Sequence, residues 1–136
     1  MRTSARPTSA VALACLLFGV GCGTADREAD VAAVTDAFHA ALEAQEGPAA
    51  CALLNAQTAA ALERQERRPC EDAILELDLP AGARASGAEV YVTSGYAELG
   101  ASGAAFLDEG PEGWRISAGG CTPRAEGRPY ECELED

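Results

Sequence analysis

From Thr24 to about Glu46 the apolar residues Val31, Val34, Phe38, Ala41 and Leu42 recur at steps of three and four, which predicts one long amphipathic helix with Asp36 and Glu43 turned off the stripe. Asp26, Glu28 and Asp30 crowd its first turns, where the helix dipole favours negative charge. Gly47-Pro48 is the expected stop. Pro48 then opens a second helical stretch through Cys51 and Leu54, Asn55 is placed to cap a third that carries Ala59 and Leu62, and Pro69 restarts the chain at Cys70 for a short turn to Leu79.

Past Pro80 the pattern changes from helical spacing to alternation. The runs Glu89–Val92, Tyr96–Leu99, Ala104–Leu107, Trp114–Ala118 and Tyr130–Leu134 predict four or five strands. Thr93-Ser94-Gly95 and Asp108-Glu109-Gly110-Pro111-Glu112-Gly113 are the turn signals between them. In the last run Tyr130, Cys132 and Leu134 alternate with Glu131, Glu133 and Glu135, predicting an inward apolar face and an outward row of carboxylates. Helices followed by an antiparallel meander give the α+β class.

Composition sharpens this picture. The chain has 136 residues and is 48% hydrophobic, but 30 residues are alanine and aromatics make up only 5%, so a single small domain with a thin core is expected. At that size covalent staples become important. A formal charge of -12 repels phosphate backbones and excludes electrostatic binding of nucleic acid.

The first 21 residues have the order of a secretory signal peptide: basic Arg2 and Arg6, an apolar run from Ala10 to Val20, then small residues before Cys22. The run is too short to span a bilayer. Val20-Gly21-Cys22 resembles the lipobox of bacterial lipoproteins, in which the thiol is acylated and becomes residue 1 of the mature chain; Gly19 departs from the branched aliphatic usual there. Gly19-Val20-Gly21 also fits an ordinary small-x-small cleavage site, so simple secretion is the alternative. The resemblance implies a signal peptide over 1–21 and a mature domain over 22–136, tethered to membrane lipid through Cys22 at the outer face of the cell membrane. Cleavage removes two arginines and no acid, leaving a formal charge of -14.

Cysteine parity agrees with the anchor. Cys15 leaves with the signal peptide and Cys22 takes lipid, so an even four remain: Cys51, Cys70, Cys121 and Cys132. Cys51–Cys70 within the helical half and Cys121–Cys132 within the sheet are the expected pairs, each closing a local loop that contributes up to about 3 kcal/mol. No pair has CxxC spacing, which argues against a zinc site.

Candidate chemistry is sparse. His39, beside Phe38 on the flank of the helical stripe, is the only side chain that ordinarily titrates near neutrality, but no serine elbow, HExxH or nucleophilic cysteine accompanies it. Asp108–Gly113 lacks calcium-loop spacing, and the glutamates of the last strand read as a solvated face. Trp114 shares a strand face with Ile116 and reads as core. No metal or cofactor is implied.

The layout, ending in Gly113-Trp114-Arg115-Ile116-Ser117-Ala118-Gly119-Gly120-Cys121 and Arg128-Pro129-Tyr130-Glu131-Cys132-Glu133-Leu134, resembles the small exported lipoproteins of actinobacteria whose domain is an NTF2-like (cystatin-like) α+β cone. That resemblance implies a sheet curved around the long helix, with a cone that is a pocket in some relatives and filled in others. Phe38, His39 and Trp114 are the residues expected to line such a pocket. Enzymatic relatives place an aspartate or histidine inside the cone, and no motif of this chain matches theirs residue by residue. The resulting expectation is a non-catalytic, membrane-anchored module that binds a protein or small ligand; the alternative is a small pocket enzyme of the isomerase or dehydratase kind.

Overall fold

The computed structural model describes residues 23–125 and 127–136. The signal segment 1–21 and Cys22 lie outside the described residues. Among the described residues four helices come first: α1 (Thr24–Glu43), α2 (Gly47–Ala52), α3 (Ala56–Glu66) and α4 (Cys70–Ala73), the last running into a 3-10 turn at Ile74–Glu76. Five strands follow: β1 (Gly87–Tyr91), β2 (Ser94–Glu98), β3 (Ala104–Gly110), β4 (Gly113–Thr122) and β5 (Glu131–Leu134). They pair antiparallel in sequence order. The α+β class and the meander are as the alternation predicts.

α1 stops three residues earlier than its pattern suggests. Gln45 takes a left-handed conformation (φ 57°) after the last turn, and its side-chain amide donates to the Leu42 carbonyl at 3.1 Å. Gly47 has a different duty from the helix stop: a Cβ there would lie 2.0 Å from the Glu71 carbonyl oxygen, so only glycine lets α2 pack against α4. Asn55 caps α3 as its position predicts, its side-chain oxygen accepting from the Thr58 amide at 2.7 Å. Both disulfides form with the expected partners, Cys51–Cys70 and Cys121–Cys132. The second joins residues directly opposite each other on β4 and β5.

The helical half is laced to the sheet through β4, whose outer edge is shared. β5 covers its Gly119–Thr122 end, and the α2–α3 connection covers the other. There the Ile116 amide donates to the Leu53 carbonyl at 2.8 Å, the Asn55 amide donates to the Ile116 carbonyl at 2.9 Å, and the Thr58 hydroxyl donates to the Ser117 carbonyl at 2.9 Å. Two register shifts between β3 and β4 bend the sheet. Its concave side receives α1: Val31, Phe38 and Leu42 pack with Leu54, Leu62, Ile74, Leu107, Trp114, Ile116 and Leu134 in one core.

Strand bounds differ from the sequence pattern at two places that matter below. The first hairpin turns at Val92–Thr93, with Tyr91 opposite Ser94, rather than at Thr93–Gly95. β5 begins at Glu131, so Tyr130 falls outside the strand, and its ring joins the opposite side of the sheet instead of the inward face. The second hairpin is tighter than its turn signal: Asp108 and Glu109 are strand residues, and only Pro111 and Glu112 form the loop between the paired Gly110 and Gly113.

Candidate binding face

The residues expected to line a pocket are in the core. Phe38 and His39 are fully enclosed and Trp114 nearly so. The His39 ring stands edge-on to Phe38, with centroids 5.2 Å apart, and is not the boundary residue its place on the stripe suggests. Neither ring nitrogen makes a hydrogen bond of ordinary geometry, although the Pro80 carbonyl lies nearby. Burial lowers the His39 pKa from its ordinary 6.5, with Pro80 and Asp36 opposing in part, so the ring is neutral at neutral pH.

The exposed chemistry lies on the other side of the sheet. Because side chains alternate along each strand, Gly95, Ala97, Ala105 and Leu107 face α1, while Tyr96 and Phe106, paired across β2 and β3, face away from it. Glu89 is paired with Tyr96 and Tyr91 with Ser94, so these join the same outer face. Tyr130 completes the cluster: its ring is 5.2 Å from that of Phe106 and 6.3 Å from that of Tyr96. Tyr96 and Phe106 are 5.5 Å apart. All three tyrosines of the chain meet here.

Along β2 and the facing start of β3 the size order is thus inverted, while Leu107, Trp114 and Ile116 give the rest of the covered side its bulk. Gly95, Ala97 and Ala105 take the covered side there, where α1 lies so close that a Cβ on Gly95 would come within 2.8 Å of a Val31 methyl. Large rings occupy the open side, where Tyr91 is 64% and Tyr130 37% exposed. Together they bound a groove of about 490 Å³ lined by Glu89, Tyr91, Ser94, Gly95, Tyr96, Phe106 and Tyr130. Glu89 is its one charged lining residue and accepts a hydrogen bond from the Tyr91 hydroxyl, which raises the Tyr91 pKa. The neighbouring Tyr130 hydroxyl, aided by partial burial, pushes the Tyr96 phenol up to about 12. Both phenols therefore remain neutral donors at physiological pH.

Beyond Ser94 the same face turns polar. Asp108 is paired with Ser94 on one side and Arg115 on the other, and the Asn55 side-chain amide donates to Asp108 at 3.4 Å. Asn55, Asp108 and Arg115 edge a second cleft of about 560 Å³, lined also by Leu54, Ala56, Ala59 and the β3–β4 hairpin. Among the described residues no group of three histidine, cysteine or acidic side chains is arranged to hold a metal, and no helix is long and apolar enough to cross a membrane.

The tip of the β1–β2 hairpin is strained and held. Val92 has φ 55°, a left-handed conformation that disfavours β-branched residues, and the residue is 84% exposed. Arg27 of α1 secures the tip: its guanidinium donates to the Val92 carbonyl, pairs with Glu109, and stands over the Trp114 ring at 5.3 Å. The exposed Val92 and Tyr91 thus place apolar surface beside the aromatic groove at this end of the sheet.

The aromatic face was not among the candidates read from the sequence, since alternation alone does not say which side of a strand is covered. The signal was the run of glycine and alanine interleaved with Tyr96 and Phe106, which marks a side against which another element packs closely. No family model matches the chain, and no curated protein or solved structure shows significant similarity to it.

Proposed function

We propose that this chain is a non-catalytic, membrane-anchored extracytoplasmic lipoprotein whose open sheet face is a binding surface. The observation that carries the reading is the cluster of rings on the outer face of β2 and β3. A chain so poor in aromatics that disulfides must brace its core nonetheless keeps four rings on the outside, around a groove. Rings left half-exposed forgo the roughly 1.5–3 kcal/mol that full burial of a large apolar side chain provides, and aromatic clusters of this kind dominate contact energetics when a partner covers them. Two cystines fit an oxidising compartment, and the resemblance of Val20-Gly21-Cys22 to a lipobox supplies the tether. The NTF2-like relationship belongs to the same reading and rests on layout. The alternative, a pocket enzyme around His39, draws no support from the geometry of that residue.

The test is photo-crosslinking in the host. A photoreactive phenylalanine derivative at Tyr91 should yield a discrete adduct on irradiation of intact cells, while the same group at exposed Ala37 on the helical side should not. Equal labelling from both positions, or none from Tyr91 or Tyr130, overturns the assignment of the face.

A further inference from the structure

Resting on that reading, we infer that the face takes an extended basic peptide, which adds as a sixth strand along β1 and lays arginine or lysine side chains over the groove. β1 is the first strand of the sheet, and among the described residues nothing pairs with its outer edge. The two-residue turn sets the register. With Tyr91 opposite Ser94 and Glu89 opposite Tyr96, residues 87, 89 and 91 bond to β2, and the amides and carbonyls of Ala88 and Val90 point outward. Such an edge is a template for another strand. Arg27 already occupies the Val92 carbonyl, so the available stretch is Gly87–Tyr91.

Charge selects the occupant. A strand docked on this edge would bring alternate side chains beside Glu89 and the Tyr91 ring, on the face that also carries Tyr96 and Glu98. The groove has one carboxylate and no basic lining residue, and the whole chain has a formal charge of -12. A guanidinium or ammonium group gains both the Glu89 charge and the π-faces of the tyrosines. A second copy of this chain would bring a like net negative charge to the edge, and an acidic peptide would be repelled. Main-chain pairing supplies affinity and the cation supplies selectivity.

The experiment is fluorescence anisotropy with the oxidised mature domain and a labelled eight-residue peptide of alternating arginine and threonine. Three comparisons accompany it: the same peptide with glutamate for arginine, the same peptide N-methylated at alternate amides so that it cannot pair with a strand edge, and competition by free arginine amide. The arginine peptide should bind at least about tenfold more tightly than either modified peptide, a difference of about 1.4 kcal/mol. Glu89→Gln and Tyr91→Ser should each weaken it at least about fivefold with unchanged melting temperature. Equal affinity for the N-methylated peptide, full displacement by arginine amide at peptide concentration, or indifference to Glu89→Gln overturns strand addition by a basic segment. Crosslinking from Tyr91 separates the two readings: adducts in cells with no affinity for the peptide overturn the ligand class alone, whereas loss of both overturns the face as well.

Discussion

Gly95 lies against Val31 so closely that a Cβ at the glycine would come 2.8 Å from one valine methyl and 3.2 Å from the Trp114 ring. This contact sets the distance between α1 and the sheet, and with it the side of β2 that must stay small. Gly95→Ala should therefore destabilise the domain by about 1–3 kcal/mol through overpacking. Adding Val31→Ala should restore part of the loss, because it removes the opposing methyls. Urea denaturation of the two single variants and the double variant reads the coupling directly.

The outer rings and the enclosed core make a contrasting pair of expectations. Tyr91→Ser and Tyr130→Ser remove rings that the isolated domain leaves substantially in water, and each should change stability by no more than about 0.5 kcal/mol. Phe38→Ala empties a site that is fully enclosed and should cost about 3–5 kcal/mol. Comparable losses at all three positions would mean that the outer rings are structural.

Much of the architecture was legible from local pattern. The long first helix, the Asn55 cap, the order of helices before strands and both cystines follow from spacing and from cysteine position. What escaped was settled by distances between elements. His39 sits at the margin of the α1 stripe, and only the close approach of the surrounding structure encloses it. Tyr130 alternates correctly with Cys132 and Leu134, yet pairing starts one residue later and frees its ring for Phe106. The turn at Val92 was hidden because valine at positive φ contradicts local preference. The aromatic face likewise depends on which side of β2 and β3 meets α1.

Arg27 binds three things at once: the Val92 carbonyl, Glu109 and the face of Trp114. The ion pair is about a third exposed, so it contributes at most about 1 kcal/mol after screening, and the cation–π contact adds about 0.5–1 kcal/mol. Arg27→Ala should lower stability by about 1–2 kcal/mol and loosen the hairpin tip, seen as faster hydrogen exchange at Val92 and Thr93. In 1 M salt the difference between the variant and the native chain should shrink as the ion pair is screened.

His39 gives the domain a specific acid sensitivity. Its pKa in the folded state is lowered by burial below the ordinary 6.5, so the unfolded chain takes up a proton at higher pH than the folded one. The contribution of the neutral ring is complete above pH 6.5 and is lost as the pH falls from there through the lowered value. His39→Leu should abolish that part of the stability–pH curve. At pH 7.5 it should be neutral or stabilising by about 1 kcal/mol, because both ring nitrogens lack hydrogen bonds of good geometry. Denaturation midpoints measured from pH 4.5 to 7.5 for both proteins isolate the effect from the carboxylates that they share.

Two cystines bracing a thin core fit an oxidising compartment, and the proposed lipid anchor at Cys22 would hold the proposed contact face there. Non-reducing intact-mass spectrometry of the chain purified from host membranes measures compartment, anchor and staples in one spectrum. The expected mass is that of residues 22–136 carrying acyl groups at Cys22, lighter by four hydrogens for the two disulfides. A chain that retains residues 1–21, bears no lipid and has all its thiols free would contradict the assignment.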